Sequence, residues 1–364
     1  MGLSDQLAQT HAALGETVID PSHWPDVMER ICEVIGAFGA VLMQPDIQVA
    51  DTPRTKSVDE GMTRYEQEHW QIRDSRIERA VPLILAGARV FTDEDLFSYD
   101  DFKADAYLND FYFPWGGNSA AGIAFKAGTA LWTLCLHRFA KQRIFDENDA
   151  SILATFSDRL SEVATLSTAV GHIALANVVS ALDLIRQPAL AIDRLGCVLD
   201  ANSSAHLIFD ENFTMRHRRL TTTICEASVR LDTLVNKIRY ARDDAPLAVS
   251  PIIVRRAEKN TIVIRTLPIP PAARNPFLGA RALLTFTEVG PKPELDQQLL
   301  RDTFLLTRAE SRIAVFIAKG LSTETIAEQI GVSERTVRAQ LGTIFNKTKT
   351  NRQPELVALL SGLV

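Results

Sequence analysis

The chain has 364 residues and a formal net charge of −6, long enough for two or three domains with cores of their own. Its four cysteines, Cys32, Cys135, Cys197 and Cys225, show no C-x-x-C spacing and no paired histidine, which argues against a zinc site or a disulfide framework and for buried thiols in a reducing compartment. No signal peptide opens the chain, and the most apolar run, Ala120–Leu136, is broken by Lys126 short of the roughly 18 residues that span a bilayer, so a soluble, cytoplasmic protein without a membrane partner is expected.

Residues 1–145 mix helices and strands. Trp24–Ile35 has the spacing of an amphipathic helix, Gly39–Met43 reads as a strand, and Gly61–Ala80 reads as one helix carrying Tyr65, Trp70 and Ile77. Ala120–Phe125 and Ala130–His137 form antiparallel strands around a Lys-Ala-Gly turn. Aromatic residues crowd this block, and Trp and Tyr beside a carboxylate suit a flat ligand: the rings supply apolar area and the acid orients a donor. Tyr65, Trp70, Asp74, Trp115 and Trp132 are the candidate ligand-binding residues, with Trp70 and Asp74 one helical turn apart on a shared face. The competing reading is an ordinary core in which Asp74 caps a helix or pairs with Arg73 or Arg76. On these residues the block resembles the GAF/PAS-like sensor domains found in front of DNA-binding modules. In part it also resembles the autoinducer-binding domain of the LuxR family, since Tyr65 and Asp74 reproduce that domain's nine-residue Tyr–Asp spacing. Gly61 stands where that domain has Trp, Ser75 where it has Pro, and no Trp lies near residue 89. The resemblance therefore implies a small-molecule effector that is aromatic or amide-bearing rather than an acyl-homoserine lactone.

Asp146 is a suitable N-cap, and no proline interrupts before Pro188, so residues 146–186 read as one long linker helix. Leu153, Phe156, Leu160, Val163, Ser167, Val170, Ala174, Val178, Ala181 and Ile185 recur in a near 3-4 repeat. A helix about 60 Å long resists burial in one globule, so two copies are expected to pair along it; two helices broken near Gly171 are the alternative.

From residue 187 the pattern changes. Pro188–Asp193 and Cys197–Asn202 read as strands around an Arg-Leu-Gly turn, and a helix follows over Ser203–Phe209. Three further strands fall at Pro251–Arg256, Thr261–Thr266 and Ala282–Thr287, with a Pro-rich loop at 268–276. This order resembles a PAS domain, with Asp193, Gly196 and Asn202 at its hairpin turn and second-strand end. PAS domains can hold haem or flavin, but His206 and His217 read as surface or capping residues and Cys225 lies in no flavin-adduct motif, so no cofactor is expected.

The last sixty residues carry the sharpest signal. Thr307 and Glu310 form a capping box, Gly320 stops that helix, Ser322 or Thr323 caps a second, Gly331-Val332 turns, and Ser333 caps a third. In the third helix Val337, Leu341, Ile344 and Phe345 face a core, which leaves Arg335, Arg338, Ala339, Gly342 and Asn346 outward as a face fit for a major groove. The stretch resembles the LuxR-type helix-turn-helix of bacterial transcription regulators. The resemblance implies base-edge contact by Arg338 and Ala339 and phosphate contact by Ser322, Thr323, Ser333, Arg335, Thr336 and Lys347. Gln340, where many relatives have His, and Thr343 complete the candidate DNA-binding set. From Arg301 onward nine Lys/Arg face six Asp/Glu, a balance of +3, which leaves −9 on residues 1–300. So small an excess calls for two DNA-binding heads.

No catalytic pattern survives. Gly117-Asn118-Ser119-Ala120-Ala121 misses G-x-S-x-G at its last position, and Asp46 and Asp51 sit in a Pro-containing loop unsuited to a phosphoacceptor receiver. The expected fold class is α+β multidomain: an α/β GAF/PAS-like sensor over 1–145, a linker and dimerisation helix over 146–186, a PAS-like domain over 187–290, and an all-α four-helix DNA-binding domain over 291–364. The expected function is a homodimeric, non-enzymatic transcription regulator whose N-terminal small molecule controls binding to a two-fold operator in double-stranded DNA. The alternative is a ligand-independent regulator whose N-terminal domains serve only as dimerisation or protein-interaction scaffolds.

Overall fold

The computed structural model describes residues 2–44, 53–239, 249–270, 274–290 and 295–363. Asp46 and Asp51, and part of the Pro-rich loop, lie outside the described residues. The chain divides into two compact units, Met1–Val289 and Gly290–Val364.

The first unit opens with α1 (Leu3–Glu16), α2 (Trp24–Ile35), β1 (Gly39–Met43), α3 (Asp59–Gln67) and α4 (Ser75–Leu85). It continues through β2 (Val90–Thr92), α5 (Asp93–Leu96), α6 (Tyr99–Ala104), a π-helical turn at Tyr107–Tyr112, α7 (Phe113–Trp115), β3 (Gly117–Ala127), β4 (Ala130–Phe139) and α8 (Glu147–Leu184). In α2 the apolar stripe Trp24, Val27, Met28, Ile31 and Ile35 is buried as its spacing requires, and Gly36 ends the helix with φ +69°.

The expected single helix Gly61–Ala80 is instead two. His69 adopts a left-handed backbone conformation, Trp70–Ile72 forms a separate turn, and Asp74 caps α4 by accepting from the Arg76 amide at 2.9 Å. The physical reason is that an Asp followed by Ser stabilises a helix start better than a helix interior. Trp70 and Asp74 therefore do not share a helical face.

The four strands are antiparallel in the order β1-β4-β3-β2 and separate two cores. Side-chain alternation decides which residues meet. On β4, Trp132, Leu134 and Leu136 enter the core shared with α1, α2 and α8, while Cys135 enters the aromatic core beneath α3 and α4. Arg138, on the first of these faces, is 2% exposed and pairs with Asp149 at 2.6 Å.

Helix α8 is continuous for 38 residues, with no break at Gly171. A side chain at 171 would crowd Asn275 and Leu278, which cross the helix there, and Asn275 donates to the Ser167 carbonyl at 2.7 Å. Leu153, Phe156, Leu160 and Val163 are fully buried against the first sheet, so the expectation that they form an intermolecular seam is incorrect: the domain's own strands cover them. Beyond Ser167 the repeat emerges, and Val170, Ala174, Val178, Ala181 and Ile185 are exposed. By length and composition α8 also contains a window apolar enough to cross a membrane, although small polar residues interrupt its apolar run. The first half of α8 is packed on the first sheet as a core helix is, whereas apolar residues from Leu166 onward, among them Val170, Ile173 and Val178, are exposed.

The rest of the unit comprises β5 (Ala189–Asp193), β6 (Val198–Ala201), α9 (Ser203–Ile208), the hairpin β7 (Phe213–Arg216) and β8 (Arg219–Thr222), α10 (Cys225–Arg239), β9 (Ile252–Val254), β10 (Thr261–Pro268) and β11 (Ala280–Val289). Its antiparallel sheet runs β6-β5-β11-β10-β9. Asn202 joins both ends of the β5–β6 hairpin to α9: its Oδ1 accepts from Ala189 and Ala205, and its Nδ2 donates to the Gln187 carbonyl. Leu175 and Val179 of α8 pack on the opposite sheet face with Leu278 and Ala280. Cys32 and Cys135 are buried as expected, but Cys197 is half-buried and Cys225 is exposed, and all four are free thiols.

The second unit holds α11 (Gln297–Phe304), α12 (Arg308–Ala318), α13 (Thr323–Ile330), α14 (Glu334–Thr348) and α15 (Gln353–Ser361), one helix more than the four expected.

Candidate functional site

Two sites emerge, one in each unit. In the first, α3, α4, the π-helical turn, α7 and β4 line a narrow cavity of about 40 Å3. Tyr65, Asp74 and Trp115 line it, among Arg76, Tyr107, Thr133, Cys135, His137 and an apolar majority that includes Met62, Ile84, Phe91 and Phe111. Although the single-helix argument fails, Tyr65 and Asp74 do meet: the Tyr65 hydroxyl donates to Asp74 Oδ2 at 2.9 Å. Trp70 stands behind this wall, its ring packed on Tyr107 and Phe111 and its Nε1 donating to Glu68. Trp132 is a correction. It lies on the other sheet face, against Phe277 at 5.1 Å, because it is out of phase with Thr133, Cys135 and His137 along β4.

Gly61 and Trp115 form one device. A Cβ on Gly61 would lie 1.9 Å from the Trp115 ring, so the indole occupies the volume that any side chain at 61 would need.

Charge in the cavity is almost fully committed. The Arg76 guanidinium makes two bonds to Asp93, at 2.8 and 3.1 Å, and a third to the Tyr107 hydroxyl. Burial alone would drive off its proton, but Asp93 and the surrounding hydroxyls hold it charged. Burial raises the Asp74 carboxyl above its usual range, partly offset by Arg76 and by the Tyr65 hydrogen bond. The Cys135 thiol is pushed up to about 12 by burial and the His137 ring down to about 3, so both are neutral near pH 7. The Thr133–Cys135–His137 row escaped sequence reasoning, whereas Tyr107 is legible as one of the block's aromatics and Arg76 only as a partner of Asp74. The period-two polar alternation opposite Trp132, Leu134 and Leu136 was the available signal.

In the second unit the expected caps form. Thr307 and Glu310 make a reciprocal capping box, Ser322 accepts from the Thr325 amide, and Ser333 accepts from the Thr336 amide. Gly331 turns between α13 and α14 at φ +73°. Val337, Leu341 and Ile344 are buried, while Arg335, Thr336, Arg338, Ala339, Thr343 and Asn346 are exposed on the opposite side of α14. Arg338 is 69% exposed and rests on Glu334 at 2.8 Å, and Thr323 donates to the same carboxylate. Gln340 is half-buried, its Oε1 without a partner among the described residues.

Residues 305–360 match the family model described as bacterial regulatory proteins, luxR family. These residues form a LuxR-family helix-turn-helix domain. The transcriptional regulatory protein YdfI of Bacillus subtilis (strain 168) is 42% identical over 59 residues, 16% of this chain and 28% of that relative, so the chain spans well under a third of the relative's length. Among solved structures, the VqsR LBD domain of Pseudomonas aeruginosa is similar over 44% of this chain and 94% of its own, at 14% identity and a TM-score of 0.33. The VqmA dimer of Vibrio cholerae is similar over 50% of this chain and 87% of its own, at 13% identity and a TM-score of 0.17.

Within the LuxR-family domain Lys347 departs from the phosphate role expected of it. Its ammonium donates to Glu310 Oε2 at 2.7 Å and to the Leu305 carbonyl at 3.0 Å, tying α14 to the start of α12. Lys347→Ala is therefore expected to destabilise this domain by about 1 kcal/mol. The slope of log affinity against log salt should change by less than one unit. A full unit lost, with stability unchanged, would return Lys347 to the phosphate backbone.

Proposed function

We propose that this chain is a transcription regulator in which a small molecule held in the N-terminal cavity controls operator binding by a dimer of LuxR-family domains. The observation that carries the reading is the pairing of two features in one chain: an exposed Arg-bearing helix face in a LuxR-family domain, and a buried cavity walled by rings with few polar groups. Arg338 reads a base edge. Its side chain is exposed, and its partner among the described residues, Glu334, is a surface contact of little worth, so Arg338 can exchange that contact for a guanine edge. Arg338→Ala should cost about 1–3 kcal/mol on the specific site and much less on random DNA, measured by gel-shift titration. Equal losses on both DNAs would make it a phosphate contact.

The PAS-like reading of residues 187–290 is supported by the β6-β5-β11-β10-β9 order, with α9, the β7–β8 hairpin and α10 inserted between β6 and β9. The dimer is supported by the second half of α8, where Leu166, Val170, Ile173, Val178, Leu184 and Ile185 expose apolar surface along one side. A second copy, offering the same stripe, covers it. Val170→Asp combined with Ile173→Asp should yield monomers with an intact circular-dichroism spectrum. A wild-type mass by light scattering would move the seam elsewhere. The effector controls the switch to the extent that it binds one arrangement of the dimer better than the other.

A further inference from the structure

His137, on the cavity wall, carries a ring nitrogen that no described residue satisfies. His137 is 5% exposed, and its Nε2 is buried without a hydrogen-bond partner among the described residues. The other ring nitrogen, Nδ1, lies 3.3 Å from the Tyr112 hydroxyl. We assign the single proton of that hydroxyl to the Ser119 carbonyl, the nearer acceptor at 3.0 Å, so that Tyr112 meets the ring with a lone pair and Nδ1 carries the hydrogen. Nε2 is then a bare lone pair. Leaving it so costs a desolvation penalty that a donor would remove.

The other polar groups of the cavity fix what kind of donor fits. The Arg76 guanidinium is spent on Asp93 and Tyr107, which leaves no cation for an anionic ligand. Asp74 is a second acceptor, already holding the Tyr65 hydroxyl and the Arg76 amide. The remaining polar groups on the wall, the Tyr107 and Thr133 hydroxyls and the Cys135 thiol, are uncharged, so an ion would lose its hydration with no counter-charge in return. Resting on the cavity reading above, we infer that His137 Nε2 is the orienting contact for the effector, accepting a hydrogen bond from an O–H or N–H on a flat, uncharged aromatic molecule of the phenol or indole class. Without a ligand, the unpaired Nε2 keeps the cavity poised to take a donor. With one, the ring and Tyr112 form a continuous chain from the ligand to the Ser119 carbonyl on β3.

The test uses the full-length protein and two matched probes, indole and benzofuran, which share shape and differ in one N–H donor. Methyl resonances of Met62 and Ile84 report occupation of the cavity, and the His137 ring nitrogens report the bond. The expected result is methyl shifts with both probes, an Nε2 shift with indole alone, and indole binding about tenfold more tightly. In His137→Phe, which keeps a ring but no acceptor, the tenfold preference should fall to parity while both probes still bind. Methyl shifts with a silent Nε2 and no preference for indole would overturn the role of His137 and leave the cavity reading intact. No methyl shift with either probe at millimolar concentration would overturn the ligand class together with the cavity reading.

Discussion

Replacing Arg138 with methionine is expected to cost about 3–5 kcal/mol in urea unfolding, the loss that follows when one partner of a buried ion pair is removed. Arg138 is the hub of its end of the first domain. One guanidinium pairs with Asp149 at 2.6 Å, donates to the Ile144 carbonyl at 3.1 Å and to the Ile35 and Gly36 carbonyls at the end of α2, and stacks over the Phe145 ring at 4.1 Å. A thioether of similar length fills part of the space but donates nothing, so the Ile35 carbonyl loses the Arg138 donor, while the Gly36 carbonyl keeps the Gln142 amide at 2.9 Å. Asp149 is left with Arg143, whose side chain is 55% exposed and therefore a weaker partner. Burial by itself would raise the Asp149 carboxyl, but the bonds from Arg138 and Arg143 overcome that and hold it below the usual range. Pairing Arg138→Met with Asp149→Leu removes both charges, so the double variant should be less destabilised than the sum of the two single ones. Strict additivity would show that the two groups do not depend on each other.

This hub illustrates what the sequence hides. Arg138 stands in a strand whose neighbours alternate toward two different cores, and its charge argues for a surface position unless the carboxylate it meets is known. Asp149 is visible only as a residue in the first turn of a helix; its capping of Asp146 is local, but its pairing across to β4 is not. The helix-turn-helix was legible for the opposite reason. Each of its signals, Thr307 with Glu310, Ser322, Gly331 and Ser333, acts over three or four residues and needs no distant partner to be read. Lys347 marks the limit even there: its place on α14 suggested DNA, but the Glu310 carboxylate comes from another helix.

The cavity was half legible. Tyr65 and Asp74 were selected on a helix that does not exist as one piece, yet they meet, because the break at His69 and the cap at Asp74 fold the second segment back toward the first. Trp132 offers the flat apolar area that a ligand wall needs, but period-two alternation excludes it once Cys135 or His137 faces the cavity. Likewise the exposed 3-4 repeat of α8 was read along its whole length, although the sheet it crosses claims the first half. Local periodicity marks a face as apolar but does not say whether the same chain or another copy covers it.

The second large effect is a loss of stability in mild acid, traced to one buried ring. His137 titrates near 6.5 in an unfolded chain and only near 3 in the folded protein, first because it is buried and then because Arg76 lies close by. As pH falls below about 6.5 the unfolded state takes up this proton and the native state does not. The contribution is therefore complete above pH 6.5 and is lost by about 1.4 kcal/mol per pH unit on the way down. Between pH 6.5 and 4.5 the carboxylates held low, such as Asp149 and Glu310, change little, since their losses set in only near and below the ordinary carboxylate range. Asp74, raised by burial, works with the opposite sign, because its folded form accepts a proton before the unfolded one does. His11 is also held low by partial burial and adds to the same slope. The His137→Phe variant separates these contributions: it keeps a ring in the cavity and removes one titrating group, so its unfolding free energy should flatten relative to wild type by close to one proton's slope over that window. Parallel curves for the two proteins between pH 6.5 and 4.5 would mean that His137 is protonated in the native state. Its Nε2 would then be a donor rather than the open acceptor that the cavity chemistry requires.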